Sequence, residues 1–326
     1  MDLYFILYQI FQINQYKKGT LRKFLVRRIP KHVHLRLKKR QRCDKMDITD
    51  FLEVSVDIRA VVLIDNIAEA PLLSEWGLSI YIEYHGRRIL LDTGASGNFL
   101  LNASQLGVDV SSVSHGVLSH AHYDHSGGMD DFFDCCKTAK FHLRSGTQEN
   151  CYSGEGSDRH YIGVRRGLLS DMADRILYAD GDHRLFDGAW LVPHKYDMEQ
   201  AGQKAHMYLL DGEDWKTDCF AHEQSLVLET KKGLVIFNSC CHGGADVIIK
   251  EISDCFGGKK VHALIGGLHL FRSDDNTVLD MAQRLADSGV EHIYTGHCTG
   301  ERGFQLLQQV LGGRIMQIYS GMRIEI

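Results

Sequence analysis

Ser119-His120-Ala121-His122-Tyr123-Asp124-His125-Ser126-Gly127-Gly128 sets three histidines and one aspartate within the six positions from His120 to His125. The apolar run Gly116-Val117-Leu118 leads into it like a strand, and a glycine pair follows it. Imidazoles and a carboxylate crowded this closely leave polar atoms unpaired or mutually repelling unless a partner is supplied. A divalent cation supplies one. Residues two apart in extended backbone project to the same side, so His120 and His122 can converge on one ion. A turn beyond them can bring Asp124 and His125 to a second. Imidazole suits zinc, iron or copper, and a mixed nitrogen and oxygen set leaves room for bound water. The plain alternative, a histidine-rich surface loop, fits this spacing poorly.

The 326 residues around the cluster are 44% hydrophobic and 24% charged, enough for a sizeable core. Nine cysteines are scattered, with adjacent pairs at 135/136 and 240/241 and no Cys-x-x-Cys spacing. Neither a zinc ribbon nor a secreted disulfide framework is supported, and a reducing cytoplasm is the expected setting. Residues 1–45 carry 13 Lys/Arg against two acids, whereas the rest carries 24 against 40. An acidic body fits cation binding and argues against nucleic acid as a partner, leaving a small-molecule substrate.

The basic head reads separately. Its apolar run 3–13 is too short to span a bilayer, so no stable membrane insertion is expected. Its positive charge follows the apolar run, the wrong order for a secretory signal. A basic membrane-surface or nucleic-acid-binding arm is one reading. The preferred one is a poorly ordered extension over residues 1–50 and a single folded domain over 51–326. Met46 opens the acidic sequence and is a candidate true start.

Strands are expected at 53–64, 78–84 and 88–91, the last ending at Asp92-Thr93-Gly94. A helix at 98–106 ends at Gly107, and a buried strand at 113–119 feeds the cluster, after which a helix begins at Met129. Residues 140–215 are irregular apart from strands at 139–144 and 189–193, which suggests a lid or pocket wall. A hairpin at 225–229 and 234–238 precedes an alternation of helix 245–255, strand 261–265, helix 277–287, strand 291–295, helix 302–311 and strand 314–319. Strands first and alternation later imply a mixed α/β arrangement with helices outside.

Polar residues gather where these strands end. Asp92 closes one strand, His222 precedes the hairpin, and Ser239-Cys240-Cys241-His242 ends it. His269 follows Leu264 to Leu268, and His297-Cys298 follows Ile293 to Gly296. Strand ends are where layered α/β folds collect active-site residues. One such histidine alone would more often belong to the core. Several beside a ligand cluster reverse that expectation.

The segment His120-x-His122-x-Asp124-His125 at a strand end resembles the signature of the metallo-β-lactamase-fold superfamily. Within it, the chain is similar to the branch of dihydropterin-ribofuranosyl-aminobenzene-phosphate synthase-like metal-dependent hydrolases. The resemblance rests also on Glu75-Trp76-Gly77-Leu78-Ser79, Leu91-Asp92-Thr93-Gly94, Ser239-Cys240-Cys241-His242, Gly266-Gly267-Leu268-His269-Leu270 and His297-Cys298-Thr299-Gly300. Trp76 stands where that branch has histidine, and Ser239 and Cys241 replace its glycine and serine.

The resemblance implies a four-layer αββα sandwich with one or two divalent metal ions at an edge of the paired sheets. Zinc is the expected ion, with iron or manganese as alternatives. His120 and His122 would bind the first ion, Asp124 and His125 the second, and His297 would complete the second. By order along the chain, His222 stands where the third ligand of the first ion is expected, and Cys240 or His242 where a bridging or second-site ligand is expected. His269 is a further candidate. Asp92 is expected to accept a hydrogen bond from a ligating imidazole and fix its tautomer. Such ions activate water and polarise a carbonyl or phosphoryl oxygen, and Asp124 can orient that water or take its proton. Arg159, His160, Arg165 and Arg166 form a candidate grip for a phosphate or carboxylate.

Leu91-Asp92-Thr93-Gly94 also matches an aspartic-protease signature, with Asp287-Ser288-Gly289 as its second copy. Asp287, however, ends a helix-spaced apolar run that Gly289 would cap, and the alternating second half is foreign to an all-β protease. The implied function is therefore metal-dependent hydrolysis of a small anionic or phosphorylated compound. The alternatives are a pterin-linked C–N bond-forming transferase and a non-catalytic metal-dependent sensor or binding protein.

Overall fold

Residues 56–194 and 206–326 are described by the structure, a computed structural model. The basic extension expected over 1–50, with the candidate start at Met46, lies outside them. In chain order the first part runs β1 (Ile58–Ile64), β2 (Ser79–Tyr84), β3 (Arg87–Leu91), α1 (Asn98–Leu106), β4 (His115–Val117), α2 (Tyr123–Ser126), α3 (Met129–Cys135) and β5 (Lys140–Arg144). Next come β6 (Cys151–Ser153), β7 (His160–Tyr161), α4 (Leu168–Asp171), β8 (Ile176–Ala179), β9 (His183–Phe186) and β10 (Ala189–Pro193). The second part runs β11 (Met207–Asp211), β12 (Asp214–Thr217), β13 (Gln224–Thr230), β14 (Gly233–Phe237), α5 (Ala245–Cys255) and β15 (Val261–Ile265). It closes with α6 (Asp275–Asp287), β16 (His292–Thr295), α7 (Glu301–Leu311), β17 (Ile315–Gln317) and β18 (Arg323–Glu325).

Two seven-stranded sheets result, ordered β18-β1-β2-β3-β4-β5-β8 and β17-β16-β15-β14-β13-β10-β9. Each is antiparallel where hairpins join neighbours and parallel where helices cross over, as between β3 and β4 or β14 and β15. Their strands are apolar on both faces because both faces are covered. In β14, Val235 and Phe237 join the layer between the sheets, while Leu234 and Ile236 pack outward on helices. In β1, Ala60 and Val62 face inward, and Val61 and Leu63 face the other helical layer.

The helices present one apolar stripe each, at the three- and four-residue spacing of a half-buried helix. In α5 the stripe is Ala245, Ile248, Ile249 and Ile252, and in α6 it is Val278, Met281, Ala282 and Leu285. Burying one such Ile or Leu side chain contributes about 1.5–3 kcal/mol. Asp274 caps α6 by accepting from the Thr277 amide, and left-handed Gly107 (φ 71°) caps α1. The outcome is the expected α/β sandwich of helices, sheet, sheet and helices. Asp287 ends α6, so the protease reading of that segment fails.

The irregular 140–215 stretch holds more order than its sequence suggests. Strands β6, β7, β11 and β12 make a third sheet, ordered β12-β11-β6-β7. It is tied to the histidine segment by a bridge between His122 and Gly163 and by the Tyr123 amide donating to the Ile162 carbonyl at 2.8 Å. Among the described residues no helix is long and apolar enough to cross a membrane.

Candidate metal centre

The site grows from the end of β4. His120 follows it in a bend and His122 in extended backbone, and α2, a single helical turn, carries Asp124 and His125. The loop after β3 presses against this turn so closely that side chains are excluded: a Cβ on Gly127 would lie 2.2 Å from the Ala95 carbonyl oxygen, and one on Gly128 2.6 Å from that of Thr93. The glycine pair is thus a packing requirement of the motif. Asp92, Phe220, Cys241, His269 and His297 all adopt positive φ. For residues other than glycine this costs energy that the surrounding structure must offset, and such residues concentrate at functional sites.

Hydrogen bonds turn four imidazoles the same way. His120 Nδ1 meets Ser119 Oγ at 2.9 Å, and that hydroxyl in turn donates to Asp92 Oδ2 at 2.6 Å. His125 Nδ1 donates to Asp92 Oδ2 at 2.8 Å, and His297 Nδ1 to Asn66 Oδ1 at 3.0 Å. His242 Nδ1 faces Glu223 Oε2 at 2.5 Å. Each Nδ1 is thereby engaged and each Nε2 is turned toward the cluster, the arrangement that metal ligands need. Asp92 also accepts from the Ser119 amide at 2.7 Å and from Ser239 Oγ at 2.5 Å, so it anchors both sides of the site.

Two donor groups emerge. His120, His122 and His242 have ligand nitrogens within 4.8 Å of one another. The Nε2 atoms of His120 and His122 are buried and have no hydrogen-bond partner. Around the second position His125 Nε2 lies 3.2 Å from His297 Nε2 and 3.3 Å from Cys240 Sγ, and His297 Nε2 lies 3.4 Å from Asp124 Oδ2. Two facing ring nitrogens, a thiol and a carboxylate at these separations form a donor set that a cation can fill. The donor set thus passes the test for divalent metal, with three nitrogens at one position and mixed nitrogen, oxygen and sulfur at the other.

Electrostatics agree. Burial, reinforced by the neighbouring imidazoles, drives His120 well below the ordinary histidine range, and burial with His222 drives His122 to about 3. Both rings are neutral donors. Burial would also lower His297, but Cys298, Asp124 and Asp65 outweigh it and raise it to about 9. Burial would raise Asp124, but His125 and His297 hold its carboxyl below the usual range. The second position is therefore the one that calls for positive charge.

His222 does not stand where its order along the chain suggested. The Ala121 amide donates to His222 Nδ1 at 3.1 Å, so that nitrogen has no proton, and Nε2 must carry it toward Asp218 Oδ2 at 3.1 Å. Neither nitrogen of a ring in that tautomer is left for an ion, although His122, Cys151, Asp218 and His222 lie close together. The nitrogen within ligand distance of both His120 and His122 is that of His242. His222 instead clamps the backbone at Ala121, between those two histidines. The His269 ring lies 4.5 Å from that of His242 and lines a cleft of about 150 Å³ with Ser153, Met207, Phe271 and Arg272. Trp76, 41% exposed, packs edge-on against Phe271 at 5.1 Å with its ring 5.3 Å from His297.

The candidate substrate grip is largely committed elsewhere. Arg165 donates to both oxygens of Asp130 at 2.6 and 3.0 Å and to Asp171 at 3.1 Å, so its charge is already matched within the protein. Arg159 lies 4.2 Å over Tyr208 and 4.6 Å over Trp215. Arg166 donates to Tyr152 Oη at 2.6 Å and covers Tyr161, and His160 is exposed on β7. Sequence reading missed Glu223, Asn66 and Asp218, whose only signal was a lone polar residue beside a strand end. It also passed over Glu75, whose carboxylate accepts from the Ala95 and Ser96 amides, Ser96 Oγ and Asn98 Nδ2 and so fixes the turn into α1.

Comparison with known proteins points the same way. The family described as the metallo-beta-lactamase superfamily matches residues 77–199. A 7,8-dihydropterin-6-methyl-4-(beta-D-ribofuranosyl)-aminobenzene-5'-phosphate synthase of Methanocaldococcus jannaschii is 26% identical over 78% of this chain and 92% of its own. The crystal structure of Tm1679, a metal-dependent hydrolase of the beta-lactamase superfamily, is 28% identical, covers 82% of this chain and 99% of its own, and superposes with a TM-score of 0.71. The metallo-beta-lactamase fold protein YhfI from Bacillus subtilis, 12% identical, shares the fold over 82% of this chain and 99% of its own at a TM-score of 0.52.

Proposed function

We propose that the chain is a member of the metallo-β-lactamase superfamily and a metal-dependent hydrolase of a small anionic or phosphorylated compound. The observation that carries this is the inward set of Nε2 lone pairs from His120, His125, His242 and His297, each fixed by a partner on Nδ1. His120, His122 and His242 would hold one divalent ion; Asp124, His125, His297 and Cys240 would hold the other. When bound, such ions supply Lewis acidity and an activated water near neutral pH.

The chain's own groups do the rest. Asp92, Asn66 and Glu223 keep the ring nitrogens aimed, which lowers the reorganisation needed during reaction. Asp124 Oδ2, beside His297, is placed to orient water and take up its proton. The cleft at His269 is the proposed entry for substrate, with Arg272 as its cation. Zinc is the proposed ion, because a sulfur donor stands among the ligands. Cys135, Cys136, Cys151, Cys219, Cys240 and Cys298 are all outside disulfides, in keeping with a reducing cytoplasm.

A second reading has an observation of its own. The synthase relative matches along 92% of its length, which supports a transferase joining a pterin to an aminobenzene phosphate. Purified protein reconstituted with zinc or manganese and given bis-p-nitrophenyl phosphate separates the two. Turnover supports hydrolysis. Product formed only with pterin and arylamine together supports transfer. Stoichiometric metal with neither reaction supports a binding role.

A further inference from the structure

Cys298 follows His297 in the chain and takes no part in the ligand sets above. Its Sγ nevertheless lies 3.4 Å from Cys240 Sγ, and the donor atoms of Cys240, His297 and Cys298 all fall within 4.8 Å of one another. Both cysteines are buried and neither is in a disulfide. Two thiolates on one tetrahedral zinc, with Zn–S near 2.3 Å, stand roughly 3.8 Å apart. The observed 3.4 Å is close to that spacing, so a small opening of the pair would admit the ion.

Two features aim this sulfur. The backbone amide of His269 donates to Cys298 Sγ at 3.3 Å, so the sulfur acts as an acceptor. Amide bonds of this kind tune the sulfur of ligand thiolates. Gly267 clears the space beside it, because a Cβ there would lie 2.4 Å from Cys298 Sγ. His269 itself sits at the strained φ of 52°.

We propose that Cys298 is a second thiolate ligand at the ion position served by Cys240 and His297. This rests on the reading of the cluster as a metal site and narrows it. A donor set with two sulfurs and an imidazole is soft, and it selects zinc or monovalent copper over manganese and magnesium. The competing account is a thiol–thiol hydrogen bond between Cys298 and Cys240 that touches no ion.

The test is cobalt(II) loading of the full chain, read by thiolate-to-cobalt charge-transfer absorbance, together with zinc competition. Wild type, Cys298→Ser, Cys298→Ala and Cys240→Ser are compared, and Gly267→Ala serves as a variant that keeps both sulfurs. If both sulfurs bind, Cys298→Ser and Cys240→Ser each lose about half of the absorbance at unchanged loading. Zinc affinity then falls further in Cys298→Ser than the ~10–100-fold typical of losing a group that merely orients a ligand. Gly267→Ala weakens the band by displacing the sulfur. Spectra of Cys298→Ser and Cys298→Ala that superimpose on wild type, with all absorbance lost in Cys240→Ser, overturn the proposal and leave the metal site intact. A wild-type chain that binds no cobalt or zinc overturns the proposal and the metal reading together.

Discussion

His125 and His297 face each other with Nε2 atoms 3.2 Å apart, and both rings have their Nδ1 protons engaged, by Asp92 and by Asn66. Two lone pairs in a buried space repel unless a cation lies between them or one ring is protonated. Cys298, Asp124 and Asp65 favour a proton on His297, so the fold concentrates positive charge at the place a metal ion would take. Metal binding and folding are then linked, since an ion that binds the native state and not the unfolded one stabilises by mass action. Chelation should lower the thermal midpoint, and zinc at about 100 times its dissociation constant should restore about 2.7 kcal/mol. Urea unfolding in chelator and in graded zinc checks this; curves that coincide would refute it.

Asp92 holds three elements of the site at once. It receives the Ser119 amide and hydroxyl from the ligand loop, the Ser239 hydroxyl from the end of β14, and the His125 ring. Replacing it with asparagine removes the charge and turns one acceptor into a donor facing other donors. Asp92→Asn should lose about 2–4 kcal/mol of stability, because bonds to a charged group are worth about 1.5–3 kcal/mol each and the stranded donors are buried. Metal affinity should fall by ~10–100-fold. Denaturant melts with and without metal, and competition against a chelator of known affinity, measure the two effects separately.

His222 and His242 offer a sharper contrast, since one precedes and the other ends the same hairpin. His242 supplies a nitrogen to the first position, while His222 accepts the Ala121 amide and is held by Asp218. His242→Ala should bind one ion fewer. His222→Ala should bind the full number with weaker affinity, because the backbone between His120 and His122 is no longer clamped. Elemental analysis after dialysis decides it. A lost equivalent in His222→Ala would return that residue to the ligand set.

What the sequence disclosed follows from how local each signal is. His120 to His125 and the glycines after them lie within one turn and one strand end, so spacing alone exposes them. A mixed α/β arrangement with helices outside was readable from apolar runs such as those of β13 and β14, where Leu226 pairs with Phe237 and Leu228 with Val235, whereas the four-layer αββα sandwich came from the family resemblance. His242 was harder. Its role depends on where the end of β14 meets β4 in space, and order along the chain pointed to His222. Asn66 is 231 residues from His297, and no periodicity announces such a pair. The third sheet escaped because β6 and β7 have three and two residues, too few to show an alternation. Arg165 looked available in sequence because its partners Asp130 and Asp171 are brought to it by the fold.

His142, on β5 and away from the ligand set, gives the chain a pH dependence of its own. Its ring is 6% exposed, its Nδ1 is buried without a hydrogen-bond partner, and the His115 and His183 rings lie 5.6 and 6.1 Å away. Burial first, then the charge of those two neighbours, lowers its pKa to about 4. In the unfolded chain it titrates near the ordinary value of about 6.5. Between those values the unfolded chain takes up a proton that the folded chain refuses. Stability from this group is therefore complete above pH ~6.5, declines as pH falls through the window, and levels off below pH ~4. The total is on the order of 3 kcal/mol. His142→Leu removes the titration, so its loss of stability between about pH 7 and pH 4.5 should be smaller than that of wild type. Urea unfolding of both proteins across that range, in matched buffers, isolates the difference from the titration of the ligand histidines, which both proteins share. Parallel curves for the two would show that His142 stays neutral in the unfolded chain as well or is already protonated in the folded one, and the assignment would fall.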